Sequence, residues 1–233
     1  MILLALESAA SVCSVAVCDA AGNVLGHRRA ERAADQADRL VELIDAVLRG
    51  AGLDYEAVDV IAVDHGPGSF TGVRAGVAAA RGLGLAAARP VIAVNALEAL
   101  AAALGPQPSG TIIAALDARR GQVYVQNFDH RLGALSAPHA VAPEDVTLAG
   151  AVPPLHLVGT GAALLRALLP DDLPTLSASA EPDALHVARR ALSRLAAGER
   201  PVPGRAVQPL YLRAPDARLP TSPGIRAPAA VRA

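Results

Sequence analysis

An apolar run from Val58 to Val63 ends in Asp64-His65-Gly66-Pro67-Gly68-Ser69 and opens at once into a stretch of small residues beginning Phe70-Thr71-Gly72-Val73-Arg74. Gly66 and Gly68 admit backbone angles that side chains disfavour, and Pro67 fixes φ between them. Ser69 is placed to cap a helix over 70–87, on which Gly72, Gly76, Ala79 and Ala80 form a nearly bare face suited to close backbone approach. Strand, glycine turn and helix in that order confine the fold to a layered α/β architecture. Three familiar uses of such a turn fail. A P-loop needs a lysine at the phosphates, and the chain contains none. A dinucleotide fingerprint needs glycine where Thr71 stands, and a nucleophile elbow needs a residue between Gly68 and Ser69. The turn reads first as a packing device and second as a phosphate cradle.

The 233 residues suffice for one large domain or two small ones, and 52% hydrophobic content excludes a disordered chain. No apolar run reaches membrane-spanning length without Arg, Gly or Pro. Met1-Ile2-Leu3-Leu4-Ala5-Leu6 lacks a basic leader and reads as a strand, so the cytoplasm is the expected location. Cys13 and Cys18 are five apart on one strand, point to opposite faces and cannot bridge. A net charge of −1, no Trp, two Phe and three Tyr argue against direct nucleic-acid binding, which needs a basic surface or stacking platforms.

Periodicity predicts strands over 2–6, 12–18 and 23–30, a helix over 34–51, a strand over 58–64, the helix over 70–87, a strand over 91–94 and a helix over 95–104. Gly105-Pro106-Gln107-Pro108-Ser109-Gly110 marks a boundary. Strands over 111–116, 121–129 and 134–141 follow, then a short helix from Pro143, a strand over 155–158 and helices near 161–169 and 182–197. The expected division is an N-terminal α/β half (1–105), a C-terminal α/β half (106–213) and a disordered tail (214–233). Each half begins with a buried strand ending in an acid, Glu7 or Asp117.

Gly66-Pro67-Gly68-Ser69-Phe70-Thr71-Gly72-Val73-Arg74 resembles the signature of the TsaB (YeaZ) family, accessory proteins of bacterial tRNA threonylcarbamoyladenosine synthesis. The first hairpin, Asp117-Ala118-Arg119-Arg120-Gly121-Gln122-Val123-Tyr124, Gly159-Thr160-Gly161 and Tyr211-Leu212-Arg213 agree in order and spacing, so the resemblance spans about residues 1–213. It implies an actin-like ATPase/sugar-kinase (ASKHA) fold of two similar halves with mixed sheets. It also implies a non-catalytic subunit that pairs with the catalytic TsaD and with TsaE, or with a second copy of itself, and that meets tRNA only indirectly. ATP and metal then belong to the partner subunits. The helices over 34–51 and 70–87 would form the partner interface through Ala37, Leu40, Val41, Ile44, Gly72, Val73, Gly76 and Ala79. The other reading of those helices is that they cover their own sheet.

An active ATPase of this architecture would use carboxylates at both hairpins. Glu7 and Asp117, with Arg119, Gly159 and Gly161, are the candidates for a remnant nucleotide cleft. Ser8-Ala9-Ala10 lacks a glycine for phosphate approach, and Arg119 serves equally as a structural partner of an acid. The six histidines show no metal-ligand spacing, and Gln36 stands where the family often carries one. No residue is assigned a catalytic or metal-binding role. The alternatives are a small-molecule ATPase or kinase of the same fold and, behind it, a peptidase.

Overall fold

The computed structural model describes residues 1–31, 36–178 and 180–213, and the side chains of all of these except 36–38 and 177. The expected tail over 214–233 and the side chain of Ala37 lie outside the described residues.

Strands β1 (Ile2–Glu7), β2 (Val12–Asp19) and β3 (Val24–Glu31) form an antiparallel meander. Helix α1 (Gln36–Gly50) leads to β4 (Val60–Asp64), which lies parallel to β1 on its other side. Helix α2 (Phe70–Ala86) leads to β5 (Pro90–Val94), parallel to β4. Helix α3 (Ala96–Leu104) ends at Gly105, whose φ of 78° suits glycine. The pattern then repeats. Strands β6 (Thr111–Arg119), β7 (Gln122–Asp129) and β8 (His139–Val141) form a second meander. Strand β9 (Leu155–Val158) adds parallel to β6, helix α4 (Ala162–Arg166) follows, and β10 (Thr175–Ala178) adds parallel to β9. Both sheets therefore carry two antiparallel strands on one side of their first strand and two parallel strands on the other. This doubled topology is the actin-like ATPase/sugar-kinase fold.

The first sheet is buried on both faces, and alternation along β1 sorts its side chains. Leu4 and Leu6 meet Leu40, Ile44, Val73 and Val77 of α1 and α2. Leu3 and Ala5 face the opposite way, toward a helix from the far end of the chain, α5 (Ala184–Ala196). The two cysteines obey the same rule: Cys13 packs with the first set and Cys18 with the second. Burial pushes the Cys13 thiol up to about 12. In the second half, Ile112, Ala114 and Phe128 pack against α3, whereas Ile113, Ala115 and Val125 pack against Ala162 and Leu165 of α4.

The expected strand over 134–141 is shorter, because the Leu135 and Ser136 amides bond the Asn127 carbonyl as a turn and Ala134 makes only an isolated bridge to Phe128. The helix expected to 169 stops at Arg166, with Pro170 close behind. The larger difference concerns the second half. From Asp183 the chain returns to the first: α5 covers the first sheet, and β11 (Val202–Pro203) pairs with β5 at that sheet's edge. Val207 then joins the core beneath α2. The sequence period of α5 identifies a helix but cannot say which sheet it covers. Among the described residues, no helix is long and apolar enough to cross a membrane.

Candidate functional site

The glycine turn lies against the β1–β2 loop of its own chain. Gly66 has φ 104°, and a Cβ there would approach the Leu210 carbonyl to 2.9 Å. A Cβ at Gly68 would come to 2.8 Å from the Ala9 carbonyl oxygen, and one at Gly76 to 2.6 Å from Ser8 Oγ. At Gly72 it would collide with the Ser8 carbonyl. Gly72 and Gly76, spaced by four, form one line along the start of α2, and Gly68, just before the cap, meets the same loop. Ser8 Oγ donates to the Gly72 carbonyl (2.8 Å), and the Ser69 amide donates to the Ala9 carbonyl (2.9 Å). Ser69 Oγ accepts the Gly72 amide and caps the helix. The turn is a packing device, and its packing partner is internal.

That geometry redistributes the residues expected at a partner interface. Gly72, Val73 and Gly76 are buried, and Leu40 and Ile44 lie in the core under α1. They hold the helices onto their own sheet. Ala79 is half-buried, and Val41, 55% exposed, faces outward. The outward face of α2 is a neighbouring stripe: Thr71, Arg74, Ala75, Ala78, Gly82 and Leu85 are exposed or half-buried, and a Cβ at Gly82 would meet nothing within 4 Å. The helix is small-sided nearly all round, so composition alone does not orient it. The signal lay in Val73, Val77 and Ala80, which fix the inner side within about a quarter turn of Gly72 and Gly76. Leu85, near the end of the helix, is 83% exposed.

A cleft of about 800 Å³ separates the two halves. Its walls bring together segments far apart in sequence: Ala9–Ser11, Pro67–Phe70, Leu116–Arg119, Thr160 and Leu210–Arg213. At its rim the Arg74 guanidinium lies 3.6 Å from the centroid of the Phe70 ring, and its Nε donates to the Tyr211 hydroxyl at 2.9 Å. The two rings are 5.3 Å apart. Arg213 donates to the Ala118 carbonyl (3.1 Å) and ties the C-terminal segment to the second half. His65, beside the glycine turn, has its Nδ1 2.9 Å from the Gln208 carbonyl, so it anchors the same segment.

The candidate nucleotide residues do not assemble. Asp117 lines the cleft, accepts the Arg119 amide (2.7 Å) and pairs with the exposed Arg119 guanidinium at 3.6 Å. Glu7 does not line it: the side chain is fully buried behind the β1–β2 loop. Its Oε1 accepts the Ala9 and Ala10 amides at 2.6 and 2.8 Å, donors that a phosphate would need. The Gly159 amide goes to the Ala178 carbonyl, and the Gly161 amide to the Ala115 carbonyl. A Cβ at Gly159 would collide with that same carbonyl, so this glycine serves close packing of β9 on β6. Among the described residues, no three His, Cys, Asp or Glu side chains gather as a metal site.

Asp64, which the sequence did not single out, sits at the end of β4 beside Glu7 and is equally buried. Burial is the first cause raising both carboxyls, Glu7 well above the ordinary range. The only sequence sign was an acid ending an otherwise apolar strand.

The doubled sheets and the cleft define a protein of the actin-like fold, and residues 30–217 match the family described as TsaD, tRNA N6-adenosine threonylcarbamoyltransferase. Within that group the chain belongs to the TsaB (YeaZ) family. It is 39% identical over 123 residues to the tRNA threonylcarbamoyladenosine biosynthesis protein TsaB of Haemophilus influenzae, covering 52% of this chain and 51% of that one. To TsaB of Escherichia coli it is 36% identical over 126 residues, covering 53% of each. The match thus spans about half the length of these curated relatives. The structure of YeaZ from Pseudomonas aeruginosa superposes with a TM-score of 0.78 at 32% identity, over 91% of this chain and 99% of that one.

Proposed function

We propose that the chain is a scaffold subunit in the synthesis of N6-threonylcarbamoyladenosine at position 37 of tRNA. On this reading it pairs with a catalytic TsaD and with TsaE, pairs with a second copy of itself when TsaD is absent, and meets tRNA only through its partners. The observation that carries the reading is the outward stripe Ala75–Ala78–Gly82 on α2, together with exposed Val41 on α1. Small side chains let a second helix pair approach closely, and Val41 and Leu85 supply apolar area to bury. The spent backbone donors of the cleft favour a brace over a nucleotide-processing enzyme.

The test mixes the purified chain with TsaD, TsaE and the adenylate-forming enzyme and measures threonylcarbamoyl transfer. Transfer is expected only when TsaD is present, and Ala78→Arg should cut association at least tenfold while leaving the chain's own unfolding midpoint unchanged. Transfer by the chain without TsaD, or undiminished association of Ala78→Arg, overturns the proposal. Gly76→Leu and Leu40→Asp would be poor probes, since both positions are buried in the chain's own packing.

A further inference from the structure

We infer that Glu7 and Asp64 share a single proton, which latches the β1–β2 loop to the glycine turn and so holds shut the inner wall of the cleft. The two carboxyls end adjacent parallel strands, both fully buried and side by side. The outer oxygen of each is committed: Glu7 Oε1 to the Ala9 and Ala10 amides, Asp64 Oδ1 to the Gly66 amide at 2.7 Å. Glu7 Oε2 and Asp64 Oδ2 are buried with no donor. As carboxylates, both are acceptors only and cannot satisfy one another. One proton between them removes one charge and pairs both oxygens.

Among the described residues, the neighbour whose positive form would favour a carboxylate here is His65, and it acts on Asp64 and not on Glu7. Cys13 of β2, packed near Glu7, stays a neutral thiol. His65 follows Asp64 in the turn and bonds the Gln208 carbonyl. Glu98 of α3 adds negative charge near Asp64 but is itself paired with Arg190 and Arg194 of α5. Burial of the acids outweighs the stabilising backbone amides for Glu7. Loss of the shared proton would leave two negative charges in contact without water. Relief requires the loop at 8–10 or the turn at 64–69 to open, and those segments are joined to each other through Ser69 and Ala9.

Infrared spectroscopy of the full chain near neutral pH tests the shared proton. A carbonyl band of a protonated carboxylic acid is expected in the wild type and should vanish in Glu7→Gln and in Asp64→Asn. No such band in the wild type overturns the inference, even if neither variant folds. Folding takes up this proton, so stability should fall as pH rises above the unfolded glutamate range, about pH 4.3. The unfolding constant should then climb by up to about tenfold per pH unit more steeply in the wild type than in Glu7→Gln. Equal slopes overturn the inference. Amide exchange at Ala9, Ala10 and Gly66, measured against Val63, should accelerate with pH in the wild type and not in Glu7→Gln; unchanged ratios overturn the latch. Stabilisation of the wild type by magnesium or manganese chloride, absent in Glu7→Gln, would mean that a cation fills the place of the proton.

Discussion

At the scale of single residues, the glycines of α2 divide into two kinds. Gly72 touches the backbone of Ser8, so even one added methyl must displace main chain on one side. Overpacking of this sort costs about 1–3 kcal/mol. Gly82 sits in the same helix with open space where a Cβ would go, and there alanine removes only the entropic cost of glycine, about 0.5–1 kcal/mol. Urea denaturation of Gly72→Ala and Gly82→Ala should therefore shift midpoints in opposite directions. Loss of stability in both would mean that the helix does not sit on the first sheet as described. The signature residues Phe70 and Arg74 are used differently again, at the rim with Tyr211, where they tie the start of α2 to the segment after α5.

Among the elements, α5 shows what a local reading reaches and what it does not. Asp183 caps the helix by accepting the Leu185 amide at 2.8 Å, pairs with Arg29 of β3 at 3.3 Å and lies 3.0 Å from His27 Nε2 of the same strand. One buried carboxylate thus fixes both the start of the helix and its docking on the first sheet. Asp183→Ala should lower stability by at least the 1–2 kcal/mol of a strong cap, and Asp183→Asn, which keeps the cap acceptor, by less. Equal losses in thermal denaturation would assign the whole effect to the charge that Asp183 offers Arg29. Alternation and capping made β1, β2, α2 and β9 legible from sequence almost to the residue, because each buries a face whose period is visible. The destination of α5 was hidden, since an amphipathic stripe records that a helix is covered and not by what. The placement of Glu7 was hidden for a related reason: an acid at a strand end looks the same whether it faces solvent or a second acid. The two-residue strand β11 has too little pattern to be read at all.

For the molecule as a whole, the decisive element is α3. Ala99 joins the cluster that α5 forms with the first sheet, while Leu97 and Leu100 of the same helix pack with the second. The cap Asn95 donates from Nδ2 to Gln126 Oε1 at 3.1 Å, a buried bond between the halves. The C-terminal segment adds Arg213 to Ala118 on the far side of the cleft. Amide signals from β6 in the second half and from β1 in the first should therefore report one coincident unfolding transition. Two separable transitions would show that the halves are independent. Proteins of two lobes commonly work by swinging about a flexible joint. A helix whose opposite sides belong to both cores permits no such swing without exposing Leu97 and Leu100, so the angle between the two halves is set inside the chain itself.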